Sequence, residues 1–113
     1  MTAAARTRMD VVRERQVAAR RARAVAAARA IAAEHAALGI ETWVFGSLVS
    51  GRFGVASDLD LAVRCPHARK YAIESRAQEI AGDIPVEIAY LDELREPWTS
   101  RILSEMVDAA SLR

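Results

Sequence analysis

Apolar positions recur at helical spacing through the first third of the chain. Residues 10–38 contain no Gly or Pro and are rich in Ala, Arg, Val and Glu, which are all compatible with helix. Apolar side chains spaced three, four and seven apart form one stripe, which is clean from Ala24 onward and interrupted by two arginines before it. Gly39 then supplies a C-cap. The pattern predicts a long helix over 10–38, docked by its second half, with a projecting first half and a disordered tail at 1–9.

Beyond this helix the pattern changes to short β-branched runs that alternate with helical ones. Strands are predicted at 42–45, 59–63 and 85–90, one or two helical turns at 47–51, and helices at 67–81 and 97–110. The order α-β-α-β-α-β-α predicts an α/β (α+β) fold, with a small mixed sheet of about three strands flanked by helices. We expect one domain over 10–113, with its core at 41–110.

Composition and charge narrow the class of protein. Hydrophobic residues make up 52% of the chain but aromatic ones only 5%, so Val, Ile and Leu must build the core. No apolar run approaches the eighteen residues of a membrane span, and we expect no membrane association. The lone cysteine, Cys65, excludes an intrachain disulfide and suits the cytoplasm, where we expect the protein to act. Residues 1–38 carry eight arginines against three acidic residues. Such a surplus of positive charge is typical of a solvent-exposed helix face. Contact with an acidic protein or with nucleic acid is the alternative interpretation.

Two acidic residues on the second strand are the first candidates for chemistry. Because side chains alternate across a strand, Asp58 and Asp60 share one face while the apolar residues between and after them share the other. Two carboxylates at this spacing repel each other unless a cation satisfies both. Mg²⁺ takes one or two carboxylates and completes its shell with water and substrate phosphate. The pair is therefore a candidate magnesium–nucleotide site, although a solvated strand face is the alternative.

A Gly-Ser turn precedes this pair in the chain. Gly46 and Ser47 stand where the first strand ends and a short helix begins. Glycine lets the backbone approach a ligand closely, and a helix N-terminus offers free N–H groups to phosphate. The alternative is a plain N-cap serine. Together, the turn and the Asp-x-Asp pair ten residues further on predict a phosphate site opposite a metal pair.

Residues 44–51 and 57–63 resemble the signature of the polymerase-β-like nucleotidyltransferase superfamily, and most closely its minimal bacterial branch, MNT. The resemblance implies that Gly46 and Ser47 bind the β- and γ-phosphates of ATP. It also implies that Asp58, Asp60 and a third acid hold two Mg²⁺ ions.

The chain departs from many members of that branch inside the turn. They often carry arginine where Leu48 and Ser50 stand, so less positive charge is expected here. Arg52, two residues further on, is the candidate that replaces it as a nucleotide-binding residue.

Two-metal displacement needs a base for the acceptor hydroxyl and a third carboxylate. Glu87 is the only acidic residue within the third predicted strand, and it faces opposite to Val86, Ile88 and Tyr90. The resemblance places the third acid on this strand, usually as Asp. Glu87 is therefore predicted as a catalytic residue and metal ligand, the alternative being a solvated glutamate.

The acceptor is predicted from the resemblance alone. MNT proteins are encoded beside HEPN-domain ribonuclease toxins and silence them by adenylylating a tyrosine. This implies an ATP-dependent protein adenylyltransferase acting as an antitoxin, with the long N-terminal helix as a homo- or hetero-oligomeric interface. The alternatives are nucleotidyl transfer to a small molecule such as an aminoglycoside, and a catalytically idle antitoxin that acts by binding alone.

The histidines and the cysteine are not candidates for chemistry. His35 lies on the apolar stripe of the long helix and is expected to be packed. His67 and Cys65 have no further ligands at metal-site spacing.

Overall fold

A mixed β-sheet carries helices on both of its faces. The computed structural model of the protein describes residues 6–113. Its helices and strands are α1 (Arg8–Ala37), β1 (Glu41–Phe45), α2 (Ser47–Ser50), β2 (Leu59–Arg64), α3 (Lys70–Ala81), β3 (Val86–Tyr90), α4 (Trp98–Glu105) and β4 (Val107–Asp108). Short 3-10 turns precede α3 (His67–Arg69) and follow β4 (Ala109–Ser111). The predicted α/β class, with flanking helices and a long first helix, is confirmed.

The first helix begins earlier than its apolar stripe. Thr7 caps it by accepting a hydrogen bond from the Asp10 backbone N–H, and the Asp10 carboxylate accepts one from Thr7 in return. This reciprocal cap starts the helix at Arg8, inside the segment predicted as a tail, of which residues 1–5 lie outside the described part. The buried positions of α1 all lie in its second half, from Ala24 to His35, as predicted. At 1.5 Å per residue the helix is about 45 Å long, so its first half extends past the sheet.

The strands follow the order β3-β2-β1-β4. β1 pairs antiparallel with β2 and with β4, whereas β2 and β3 are parallel. The register places Asp60 opposite Phe45 of β1 on one side and opposite Glu87 of β3 on the other. The second strand begins at Leu59, so Asp58 directly precedes it.

Different helices pack on the two faces of the sheet. Leu59, Leu61 and Val63 are fully buried on the face covered by α1 and α3, which confirms the alternation predicted for β2. The opposite face, which carries Asp60, is polar only at one end. Further along it Ala62 is buried in a cluster with Ile102 of α4. α4 therefore packs on the same face as the acids, further along the sheet.

The prediction of one helix over 97–110 is wrong in its second half. α4 ends at Glu105, and the chain turns extended at Met106. Val107 then pairs with Val44 of β1, adding a fourth strand to the sheet. The open edge of β1 offers hydrogen bonds to this β-branched residue, and Asp108 begins the next turn by accepting a hydrogen bond from Ala110 N–H at 2.9 Å.

Candidate active site

The predicted carboxylates lie at one end of the sheet. Asp60 is the first polar residue of β2, and Glu87 is its partner on the neighbouring parallel strand, about 4.8 Å away between backbones. Paired residues point to the same face, so both side chains leave the sheet on the α4 side. Asp58, just before β2, is near enough to act on the charge of Asp60. The fold thus brings together three acids that are separated by up to 29 positions in the chain.

Asp60 lies in a strongly perturbing environment. Its pKa is raised to about 6, first by burial, then by the charge of Glu87 and then by that of Asp58. Asp60 is half-buried, with the apolar end of its sheet face beside it, whereas Glu87 is exposed. A carboxylate that is destabilised by like charges and by lost hydration is a group that a divalent cation would stabilise.

Gly46 is in direct contact with this carboxylate. Its φ of 76° and ψ of −149° lie in a region that essentially only glycine occupies. A Cβ atom built on Gly46 would overlap the Oδ2 atom of Asp60 and come within 3.1 Å of its Cγ. The turn therefore needs glycine both for its backbone conformation and for the space that Asp60 fills. This contact joins the two motifs that the sequence shows ten residues apart.

An open groove of about 590 Å³ begins at the same turn. It is lined on one side by residues of and around α2, and on the other by two residues of α4. Its lining residues are Gly46, Ser47, Val49, Ser50, Arg52, Arg101 and Glu105. The structure thus places the predicted phosphate-binding residues Gly46, Ser47 and Arg52 around one space.

The two positions that carry arginine in many members of the MNT branch do not supply charge here. Leu48 is 2% exposed and packs in the core under α1. Ser50 donates a hydrogen bond from its hydroxyl to the Ser47 carbonyl at 3.3 Å. Arg101 of α4 faces the groove from the other side and was not found by the sequence analysis, because no motif connects it with the turn.

Arg20 is a second residue that the sequence analysis missed. It interrupts the apolar stripe of α1, yet it is half-buried and contacts the loop before Asp58. Its guanidinium donates hydrogen bonds to the carbonyls of Gly54 at 3.3 Å and Ser57 at 2.8 Å. It also lies 5.5 Å from the ring centroid of Phe53. Arg20 therefore positions the loop whose last residue precedes Asp58.

The donor atoms fit magnesium better than they fit a softer metal. Asp58 and Asp60 supply hard carboxylate oxygens, and their mutual repulsion favours a divalent ion between them. Within residues 6–113, however, no three His, Cys, Asp or Glu side chains form a group that could hold a metal ion. The protein would therefore offer a pair of carboxylates, with nucleotide phosphate and water completing the shell. That Glu87 is a third ligand stays a prediction.

The residues set aside by the sequence analysis lie away from the site. His35 is buried and its Nδ1 is 2.7 Å from the Thr42 hydroxyl, as expected of a packed histidine. Burial lowers its pKa. Cys65 and His67 line a small pocket at the far end of the parallel strands, where Glu93 pairs with Lys70.

The raised pKa of Asp60 predicts that its charge destabilises the metal-free fold. The folded-state pKa, about 6, lies above the value of 3.8 for a free side chain. Protonated Asp60 therefore contributes its full stabilisation to the fold below pH 4, and this stabilisation is lost as the pH rises through 6. We expect metal-free Asp60→Asn to be more stable than the natural protein at pH 7.5, by about 1–2 kcal/mol after solvent screening. The difference should vanish near pH 4.

Urea unfolding at the two pH values, in the presence of a chelator, measures this difference. Adding Mg²⁺ at pH 7.5 should stabilise the natural protein more than the variant. A metal-free variant that is less stable than the natural protein at pH 7.5 would contradict the electrostatic origin of the raised pKa.

The model of the family described as "Nucleotidyltransferase domain" matches residues 27–109. That range runs from the docked half of α1 to the turn after β4, and it includes Gly46, Ser47 and all three acids. Curated protein sequences give no match. Because the family model covers well over half of the chain, the protein belongs to the nucleotidyltransferase domain family.

Proposed function

We propose that the protein transfers AMP from Mg²⁺-bound ATP to a hydroxyl group of a partner protein. The observation that supports the proposal is the contact between Gly46 and the Asp60 carboxylate, because it joins the Gly-Ser turn to the Asp-x-Asp pair. A groove that begins at this turn has room for a nucleotide. Membership of the nucleotidyltransferase domain family supports the reaction class.

In the proposed reaction the acceptor oxygen attacks the α-phosphorus of ATP. The new bond joins this oxygen to the α-phosphorus, and the bond to the oxygen bridging the α- and β-phosphates breaks, so that pyrophosphate leaves. Bound Mg²⁺ would neutralise the phosphate charge that develops. Asp58 and Asp60 would hold the metal, Ser47 would donate its hydroxyl hydrogen to a phosphate oxygen, and Glu87 would accept the acceptor proton.

The form of the groove supports a macromolecular acceptor. It is open, and the described chain forms one small α/β unit around a four-stranded sheet. An open groove of this kind is accessible to a partner that presents its hydroxyl group from outside. A folded protein partner can hold a tyrosine in a defined position, and transfer requires such an orientation of the attacking hydroxyl group.

The first half of α1 is the surface we propose for this partner. It is largely exposed, extends past the sheet, and carries most of the arginines of the N-terminal segment. A basic helical surface of this kind suits an acidic protein surface. On the resemblance to MNT proteins, the partner is a HEPN-type ribonuclease toxin, and the protein is an antitoxin acting in the cytoplasm.

Labelling with nucleotide tests the proposal. The purified protein is incubated with Mg²⁺, ATP labelled at the α-phosphate, and the product of the adjacent gene, which on this proposal is a HEPN-type ribonuclease. We expect label on a tyrosine of that partner and loss of its ribonuclease activity. ATP labelled at the γ-phosphate should transfer nothing, since that phosphate leaves with pyrophosphate.

Three other outcomes would each replace the proposal. Label on aminoglycoside-like hydroxyl compounds, with none on protein, would establish small-molecule transfer. Neutralisation of the toxin without labelling, and equally by Asp58→Asn/Asp60→Asn, would establish an idle binding antitoxin. Failure to bind Mg²⁺–ATP in calorimetry would exclude both enzymatic functions.

A further inference from the structure

We infer that Arg101 binds the β- and γ-phosphates of the nucleotide, closing the groove from the side opposite the Gly-Ser turn. This inference rests on the proposed function, because it assigns a binding role to a residue at the same site. It goes further in naming α4, a helix outside the Gly-Ser and Asp-x-Asp motifs, as the second wall of the nucleotide site.

The placement of α4 is the first argument. Its side chain Ile102 is 7% exposed and packs in one cluster with Ala62, which lies two residues after Asp60 on β2. The chain that leaves α4 pairs with Val44, two residues before Gly46 on β1. The helix is thus attached at two points to the strands that carry the phosphate-binding turn and the acids. Arg101, next to the anchor Ile102, is held at a defined place beside the groove.

The charge of the groove is the second argument. Within the described residues its lining includes two cations, Arg52 and Arg101, which stand on opposite sides. Leu48 is buried and Ser50 is neutral, so α2 itself brings no positive charge to this space. A nucleotide triphosphate carries several negative charges, and arginine binds phosphate with two parallel N–H···O bonds. Arg101 supplies from α4 the positive charge that the turn lacks.

The present contacts of Arg101 leave it able to bind. Its Nε donates a long hydrogen bond of 3.4 Å to Glu105 one helical turn away, and both side chains are exposed. The guanidinium also lies 5.8 Å from the ring centroid of Trp98, one turn in the other direction. An exposed pair of this geometry is weak. A phosphate group in the groove would therefore draw Arg101 from Glu105, while Trp98 limits the rotation of the guanidinium.

The test measures binding of the Mg²⁺ complexes of α,β-methylene-ATP and of pyrophosphate, with AMP as the third ligand, by calorimetry. We expect Arg101→Gln to weaken binding of the first two about 10-fold or more, since each loses a charge-assisted hydrogen-bond pair. Binding of AMP should change less than about twofold. Arg101→Lys should recover part of the affinity. Glu105→Gln should bind the analogue up to about 5-fold more tightly, because a negative charge leaves the groove.

Arg95→Gln is the matched control. Arg95 is exposed on the segment that leads into α4 and does not line the groove, so its replacement should leave all three affinities unchanged. Unchanged affinities in Arg101→Gln would overturn the inference and leave the proposed function standing. An equal loss for AMP would overturn the assignment to the β- and γ-phosphates. Weaker binding by Glu105→Gln would overturn the competition between Glu105 and phosphate. Absence of nucleotide binding by the natural protein would overturn both the inference and the proposed function.

Discussion

Replacing Asp58 and Asp60 together by asparagine is expected to abolish nucleotidyl transfer while the fold is retained. Asparagine keeps the volume of each side chain but removes the charge that would hold Mg²⁺ against the nucleotide phosphates. Loss of the metal removes several kcal/mol of transition-state stabilisation, so the rate should fall about 100- to 1,000-fold or more. The rate of AMP transfer at saturating ATP measures the effect, and circular dichroism reports the fold.

The fold should survive because the two charges act against it. Burial, and then repulsion by Glu87 and Asp58, raise the pKa of Asp60, so neutralising the site relieves an unfavourable interaction. The double variant Asp83→Asn/Asp92→Asn is the matched control. Each of those acids is exposed, and each forms an ion pair with an arginine away from the groove. Transfer by the control should equal that of the natural protein. Undiminished transfer by Asp58→Asn/Asp60→Asn would refute the assignment of the site.

Among the Gly→Ala replacements in this chain, Gly46→Ala is expected to have the largest effect on stability and on nucleotide binding. Alanine would have to occupy a backbone conformation that is essentially restricted to glycine, which is unfavourable by about 1–3 kcal/mol. Its methyl group would also overlap Oδ2 of Asp60. Asp60 would have to move, and the metal pair and the turn would separate. Urea unfolding and calorimetry with Mg²⁺–ATP measure the two effects.

Gly51→Ala is the control for backbone strain alone. Gly51 has a φ of 82°, but a Cβ atom there would have no neighbour within 4 Å. This variant should lose about 1 kcal/mol and keep its nucleotide affinity. Adding Asp60→Ala to Gly46→Ala removes the overlapping oxygen and should recover part of the lost stability. Equal stability and equal ATP affinity in the two single glycine variants would show that the contact with Asp60 is unimportant.

Local sequence patterns predicted the buried residues correctly in elements that bury one face. The alternation after Asp58 predicted that Leu59, Leu61 and Val63 of β2 would be buried on one face, because neighbouring side chains on any strand point to opposite faces. The stripe of α1 predicted which half of the helix would be buried. The same alternation placed Glu87 opposite Val86 and Ile88, which pack toward the core under α1 and α3. These predictions need only the geometry of one element and the preference of apolar groups for burial.

Local patterns failed at the end of the chain. Ile102, Met106 and Ala109 continue a helical spacing, and this spacing is consistent with the predicted helix over 97–110. The structure ends it at Glu105, because Val107 pairs with the open edge of β1. That competition is between hydrogen bonds within a helix and hydrogen bonds to a strand more than 60 residues away. No short segment of the sequence contains both sets of hydrogen-bond partners.

The sequence by itself indicated a phosphate and metal site through the Gly-Ser turn and the Asp-x-Asp pair, and the resemblance carried by these two contiguous motifs indicated the reaction class. It also predicted that Glu87 lies on the third strand, which the structure confirms. Only the tertiary structure decided that Gly46 touches Asp60, that Asp60 pairs in register with Glu87, and that Arg20 and Arg101 reach the site. The physical reason is that these contacts depend on strand register and helix packing. Both are set by the burial of the whole core, and segments far apart in the chain contribute to it together.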